Sequence, residues 1–600
     1  MPSLRNIFLC ALQLVPSALS ASAQPRSDAS SSSSPRKPRH DSCKAIPGTP
    51  GWPSPQSWAH LNESVAGRLL QPPPPGAVCH PGQRTYDAEQ CPAVRAAWST
   101  HEFHADNPIS TLWNHWNNDT CLPDDGYPCS SQGYPVFVIN ATTAEHVKKG
   151  VRFARNHNIR LVIKSTGHDY IGRSNAPNSL SIWVHHMKGL KTHTSFRPDR
   201  CRVTIDGTAV TVGAGMQMID IYRELDALNQ TIVGGGGKTV SVGGYVTGGG
   251  HGLLGPHHGL AADQVLQMEV VTPKGEIVTA NECQNQDLFW AMRGGGGSTF
   301  GVMTSVTMRT FPTPKLAAMQ MGIITTNNNT SSRTIFDMVA YVLSQFPSLG
   351  DSGVSGYALY SAAATNPFIP MARGFIMGAV LPDSSTDEML RLWQPVLAHV
   401  NTTWPDFQQF VQTSTYSSFY AWFENNYDQS EAGNSGYAAS RLLDANHLTR
   451  DLNKSAEAFE RFSGGIGASA FLVSGKGVHN AQPRGGGNAV VPAWRKAYVF
   501  AVGGASFEPL NSTSEAAARR EVTEKVAALR ELAPDSGTYM NEQQANPFEP
   551  DWQREFWGDN YDRLVRIKRA VDPDDVFWCT PCVGNDRWHE VEDRLCRATH

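Results

Sequence analysis

The residues best suited to chemistry gather in one loop, Ser165-Thr166-Gly167-His168-Asp169, with Ser174 shortly after it. It follows Ile159-Arg160-Leu161-Val162-Ile163, an apolar run ending in β-branched residues that reads as a buried strand. A polar, glycine-containing turn at the end of such a strand offers several backbone N–H groups to one anion, which suits a phosphate. A second concentration of glycine runs through Gly234 to Gly237, Gly243-Gly244 and Gly248-Gly249-Gly250, and a third through Gly294 to Gly297 and Gly301, with Val302 behind it. Glycines this dense are poor helix and strand formers, so their expected use is close approach of backbone to a flat or charged ligand. Three such segments can wrap one large ligand.

With Val151-Arg152-Phe153-Ala154-Arg155 ahead of it, the stretch from Ile163 through Gly172-Arg173-Ser174 resembles the flavin-binding loop of the vanillyl-alcohol oxidase / p-cresol methylhydroxylase superfamily. Gly243 to Gly250, His258-Gly259-Leu260-Ala261-Ala262-Asp263 and Tyr539-Met540-Asn541-Glu542 extend the likeness to its berberine-bridge-enzyme-like branch and to secreted, isoamyl-alcohol-oxidase-like members. The resemblance implies an α+β fold: a two-subdomain FAD-binding domain, and a substrate domain with an antiparallel sheet covered by helices. It implies FAD attached covalently to His168 through the 8α-methyl group, with Ser165, Thr166, Gly167, Asp169, Ser174, Gly243, Gly244, Gly248, Gly249, Gly250, Gly301, Val302 and Asn541 binding the cofactor. Some relatives add a second bond through a cysteine seven residues before the latter glycine of the Gly243-Gly244 pair. That position here is Gly237, so a single linkage is expected. Three residues later, Val240 stands where the family tunes oxygen access, and a valine resembles the oxygen-reactive members.

After Tyr539 and Asn541 many relatives carry a tyrosine that helps take the substrate proton, whereas this chain has Glu542. The base is therefore open among Tyr539, Glu542 and a residue of the substrate sheet. The activity implied is that of a secreted FAD-dependent oxidase: an alcohol-type CH–OH group gives hydride to the flavin, and O2 takes the electrons as H2O2. A dehydrogenase with another acceptor and a flavin-binding protein without turnover are the alternatives.

Fifty basic against fifty-four acidic residues, a net charge of −4, ask for no nucleic-acid partner. Arg5, the apolar stretch from Ile7 to Leu19 and Ala21-Ser22-Ala23 fit a signal peptide over residues 1–23, so secretion without a membrane partner is expected. Sequons at Asn62, Asn118, Asn140, Asn229, Asn328, Asn329, Asn401, Asn453 and Asn511 add expected N-glycans. Cleavage removes Cys10 and leaves an even set of cysteines, for which disulfides are the default, Cys579 and Cys582 included. A monomer acting on a small molecule and O2 is expected.

Along the chain, 24–129 reads as a Pro/Ser-rich tail and a loop-rich, disulfide-stapled extension, 130–314 as the FAD-binding domain, 315–535 as the substrate domain, and 536–600 as a segment returning to the flavin. A helix over 143–157 begins at a capping box, strands are expected at 159–163, 180–184 and from Cys201 to Gly213, and a hairpin turns at Thr272-Pro273-Lys274-Gly275. A helix from Ser514 to Leu532 opens on a capping serine. The aromatics Tyr416, Phe419, Tyr420, Trp422, Phe423 and Tyr427 suit a pocket wall or ordinary core. His251, His257 and His258 lack the spacing of a zinc site, and no metal is expected.

Overall fold

The computed structural model describes residues 43–363, 373–464, 467–543, 550–591 and 593–598. The expected signal peptide and the tail to residue 41 lie outside the described residues. Sheets of four, five and seven strands organise the chain, with two small two-stranded ribbons beside them.

The four-stranded sheet runs Leu69–Leu70, Phe137–Asn140, Leu180–Trp183, Leu161–Lys164, the last three parallel. Parallel neighbours need a crossover. The helix Ala144–Asn156 supplies it, capped by Thr143, whose hydroxyl accepts from the His146 N–H at 3.3 Å, and burying Val147, Val151 and Ala154. The chain thus leaves Lys164 into the Ser165–Asp169 loop at a strand end.

In the five-stranded antiparallel sheet, Val302–Arg309 lies between Ala209–Gly213 and Val265–Val271, and the hairpin to Ile277–Asn281 turns on Gly275 at φ +70°. The strands expected over Cys201–Gly213 shrink to Ala209–Gly213. The residues before them are tied to the hairpin's far end by the Cys201–Cys283 disulfide. All ten cysteines from Cys43 onward are paired, Cys579 with Cys582 and Cys43 with Cys596.

The seven-stranded sheet is antiparallel throughout, ordered 408–416, 316–325, 373–382, 355–361, 468–472, 497–506, 436–444. Alternation along each strand divides its side chains between two faces. Met319, Met321 and Ile323 pack under the helices Ser332–Ser344, Thr386–Thr403, Leu452–Ser463 and Ser512–Leu532. Ala318 and Val380 join the core of the glycine-rich region, and Phe471 and Val502 pack with Leu260 and Tyr539. One face of this sheet therefore rests on the region where the glycine segments meet.

Three local expectations are corrected. The extension contains the helices Pro55–Ser64, Cys91–Ala97 and His101–Asp106, held by short-range disulfides and caps. Val242–Gly248, although glycine-rich, is a helix. The long helix is capped by Asn511, which accepts from Ser514 N at 3.0 Å, so Ser514 lies within its first turn.

The C-terminal segment is held by a buried ion pair: Arg441 donates to Glu555 Oε2 at 2.5 Å and to the Ala533 carbonyl at 2.7 Å. The backbone beside it is stitched by Leu442 N to Gly537 O and Thr538 N to Glu555 O, both 2.9 Å. Removing one partner strands the other charge in the interior. Arg441→Met is expected to cost about 3–5 kcal/mol of unfolding free energy in urea melts, and Arg441→Met/Glu555→Leu to recover most of it.

Candidate active site

The loop after Lys164, the helix Val242–Gly248, the turn before Val302 and the C-terminal segment enclose one cavity of about 1650 Å³, its open mouth included. Of the expected residues, Ser165, Thr166, Gly167, His168, Asp169, Ser174, Gly243, Gly244, Gly301, Val302, Tyr539, Asn541 and Glu542 line it. Gly248, Gly249 and Gly250 do not. A Cβ on Gly248 would lie 2.1 Å from Asn541 Nδ2, and one on Gly249 3.8 Å from the Tyr539 ring, so these glycines seat the C-terminal segment.

His168 follows Gly167, which at φ +81° passes so close to Ser110 that a Cβ would meet its carbonyl at 3.0 Å. The His168 Nε2 lies 2.6 Å from Thr239 Oγ1, and His101 stands edge-on to the imidazole at 5.1 Å. Burial, reinforced by His101, Lys164 and His104, holds this imidazole well below its ordinary pKa, so it is neutral. Lys164 is fully buried, and burial lowers it to about 7. Its Nζ donates to the carbonyls of His104 at 3.1 Å and Asn107 at 2.7 Å, fastening the end of the helix His101–Asp106 over the loop. Sequence reasoning missed this contribution of the extension, because a buried lysine bonded to carbonyls leaves no spacing signal.

Asp169 pairs with Arg173, whose Nε donates at 2.9 Å and whose Nη2 also reaches Asn541 Oδ1 at 2.7 Å. The Asn541 amide donates to Tyr539 Oη at 3.0 Å and Gly244 O at 3.3 Å. Tyr539 further accepts the Gly250 N–H at 3.3 Å. Burial, with Glu542 close by, pushes its phenol up, so it keeps its proton. Glu542 Oε1 lies 3.2 Å from His251 Nε2. His251 is therefore a partner of the acid, with its ring among Trp494, Phe500 and Tyr539 at 5.8, 5.2 and 5.1 Å. Phe419, Trp422 and Phe423 are core against Tyr222, and only Asn426 and Asp428 of that region reach the cavity.

The cavity's polar accounts are open where FAD would close them. Ser165 Oγ, Arg173 Nη1 and His251 Nδ1 are buried without partners, and the N–H groups of Thr166, Gly167 and His168 find no acceptor among the described residues. Buried donors left so are costly. A run of free amides suits a pyrophosphate, and an uncommitted guanidinium nitrogen suits the electronegative edge of an isoalloxazine. A Cβ on Gly237 would come within 2.9 Å of Val240 Cγ2, so no cysteine fits there without displacing that wall. The residues present fit FAD.

A cradle of this kind, on a mixed sheet beside an antiparallel one, defines a flavin-dependent oxidoreductase. The family model "FAD binding domain" matches residues 135–281, and "Berberine and berberine like" matches 538–583. The chain is 33% identical over 573 residues to the FAD-linked oxidoreductase patO of Aspergillus clavatus, spanning 93% of this chain and 94% of that protein. It is 33% identical over 579 residues to the VAO-type flavoprotein oxidase VAO615 of Thermothelomyces thermophilus, spanning 93% and 96%. The crystal structure of the VAO-type flavoprotein MtVAO713 from Myceliophthora thermophila C1 superposes with a TM-score of 0.86 at 30% identity, over 93% of this chain and 100% of that one. Glucooligosaccharide oxidase from Acremonium strictum, whose FAD is 6-S-cysteinyl and 8α-N1-histidyl, shares the fold at TM-score 0.60 and 19% identity, over 75% and 92%. The chain belongs to the VAO-type, berberine-bridge-enzyme-like FAD-linked oxidoreductases.

Gly248→Ala is expected to force Asn541 out of its hydrogen bonds. Flavin content, read as the ratio of absorbance near 450 nm to that near 280 nm, should fall severalfold, with a loss of about 1–3 kcal/mol in stability.

Proposed function

We propose that the protein is a secreted oxidase acting on alcohol-type CH–OH groups, with FAD joined to His168 alone. The observation that carries the reading is the Glu542–His251 pair on the cavity wall beside Tyr539 and Asn541. Bound FAD supplies the hydride acceptor and, once reduced, the electron donor to O2. Glu542 takes the alcohol proton as the C–H bond breaks, and the His251 N–H, donating to its carboxylate, holds it in place and supports its charge. Tyr539 is not the base, because its phenol is protonated and its oxygen already accepts two hydrogen bonds. Arg173 fixes Asn541 and, through Asp169, the loop that carries His168. Val240 forms the wall beside Gly237, where oxygen access would be set.

Five disulfides support an oxidising compartment. Asn118, Asn229, Asn401 and Asn511 are exposed and suit glycans, whereas Asn140 Oδ1 is buried at a strand end and does not. We keep 130–314, 315–535 and 536–600 as flavin, substrate and returning units. The last of these is supported by the contacts Trp557 Nε1 to Gly294 O at 3.1 Å and Lys568 Nζ to Thr299 O at 2.9 Å.

The yellow colour is expected to stay with the protein on acid precipitation, and peptide mass mapping to find the flavin on the His168 fragment only. His168→Ala should release it, and colour that leaves the wild type on precipitation would refute the linkage. Glu542→Gln should slow anaerobic flavin reduction by about 10²- to 10⁴-fold while air re-oxidation of the photoreduced protein keeps its rate. Slow re-oxidation of the wild type would instead identify a dehydrogenase.

A further inference from the structure

Four tyrosines meet between the Gly234–Gly237 loop and the Glu542–His251 pair, and three have work. Tyr222 donates to Gly235 O at 3.2 Å, Tyr245 donates to His251 O at 2.7 Å, and Tyr539 accepts from Gly250 N–H. The fourth, Tyr357 on the strand Ser355–Ser361, lines the cavity and has no hydrogen-bond partner among the described residues. Its ring is held edge-on by Phe471 at 4.9 Å, and its hydroxyl lies 3.1 Å from where a Cβ on Gly236 would stand. Burial first, then the Glu542 and Asp428 carboxylates, raise this phenol, so it stays a donor. An O–H that faces the cavity with no protein acceptor is available to a ligand or water there.

We propose that Tyr357 is a substrate-orienting donor, its O–H bonding to the hydroxyl oxygen of the bound alcohol while that hydroxyl gives its own proton to Glu542. The inference rests on the oxidase reading above and adds a residue of the substrate sheet to it. As the substrate's O–H proton passes to Glu542 and its C–H hydride to bound FAD, negative charge builds on the oxygen that Tyr357 touches. The carbonyl product keeps the same acceptor for it. The phenol itself neither gains nor loses a proton.

The test uses Tyr357→Phe holoenzyme, which removes one oxygen and leaves the contact with Phe471. A panel of benzyl alcohol, a primary aliphatic alcohol and an oligosaccharide is mixed anaerobically with wild type and variant. With each alcohol that bleaches the wild-type flavin, the variant should reduce about tenfold more slowly at subsaturating concentration, the equivalent of one hydrogen bond of about 1.4 kcal/mol. The matching aldehyde or lactone product should bind about tenfold more weakly by calorimetry. Flavin content and re-oxidation rate should not move. Unchanged reduction and product binding in the variant overturn the role of Tyr357 and leave the oxidase reading standing. A wild type bleached by none of the panel overturns both.

Discussion

The amide of Asn541 occupies the space that a side chain at Gly248 would need, 2.1 Å from the position of the missing Cβ. From that contact the organisation of the site follows. Asn541 accepts from Arg173 and donates to Tyr539 and Gly244, so one side chain joins the C-terminal segment, the glycine helix and the loop carrying His168. The C-terminal segment lies 368 and 297 positions from the residues it meets in the other two, and no sheet joins the three. Close packing makes such a junction stiff, since neither partner can shift by a methyl group without breaking polar bonds.

Several charges around the cavity are paired. Arg173 is committed to Asp169, Lys238 to Glu102 and the hydroxyl of Tyr427, and His251 to Glu542. An unpaired charge in such a wall would cost several kcal/mol, which pairing offsets. Lys238 also shows what the N-terminal extension does: its partner Glu102 sits on the short helix that Lys164 fastens by its last carbonyls. The extension thus braces the loop and the lysine that flank the cavity.

How much of this could be read in the sequence depended on whether the signal was local. The strand, loop and crossover helix around His168 were legible because cap, periodicity and turn lie within a few residues of one another. So was the hairpin at Gly275. The helix Val242–Gly248 was not, because glycine's low helix propensity argues against it. What overrides propensity is tertiary fit: a Cβ on Gly243 would press on Ala214 O at 3.1 Å, and one on Gly248 would displace Asn541. The strands 316–325 and 408–416 escaped notice because one is rich in Ala and Met and the other in Gln and Thr, so neither shows a clean alternation of large apolar residues. The partnership of His251 and Glu542 spans 291 positions and no periodicity reports it.

That partnership explains how a glutamate can stand where relatives of the resembled family use a tyrosine. A phenol brings its own proton and needs little support in an apolar wall, whereas a carboxylate there needs a donor to hold its charge. His251 supplies the donor, and its ring is positioned by Phe500, on an inner strand of the seven-stranded sheet, and Trp494, in the turn leading into that strand. The substrate sheet therefore acts on the acid through an imidazole it packs but does not carry, since His251 comes from the glycine-rich segment. Exchanging the acid for a phenol would replace a charged acceptor opposite His251 Nε2 by a neutral one, while Nδ1 still has no partner. The charge of residue 542 and the donor at His251 are thus matched across the cavity wall.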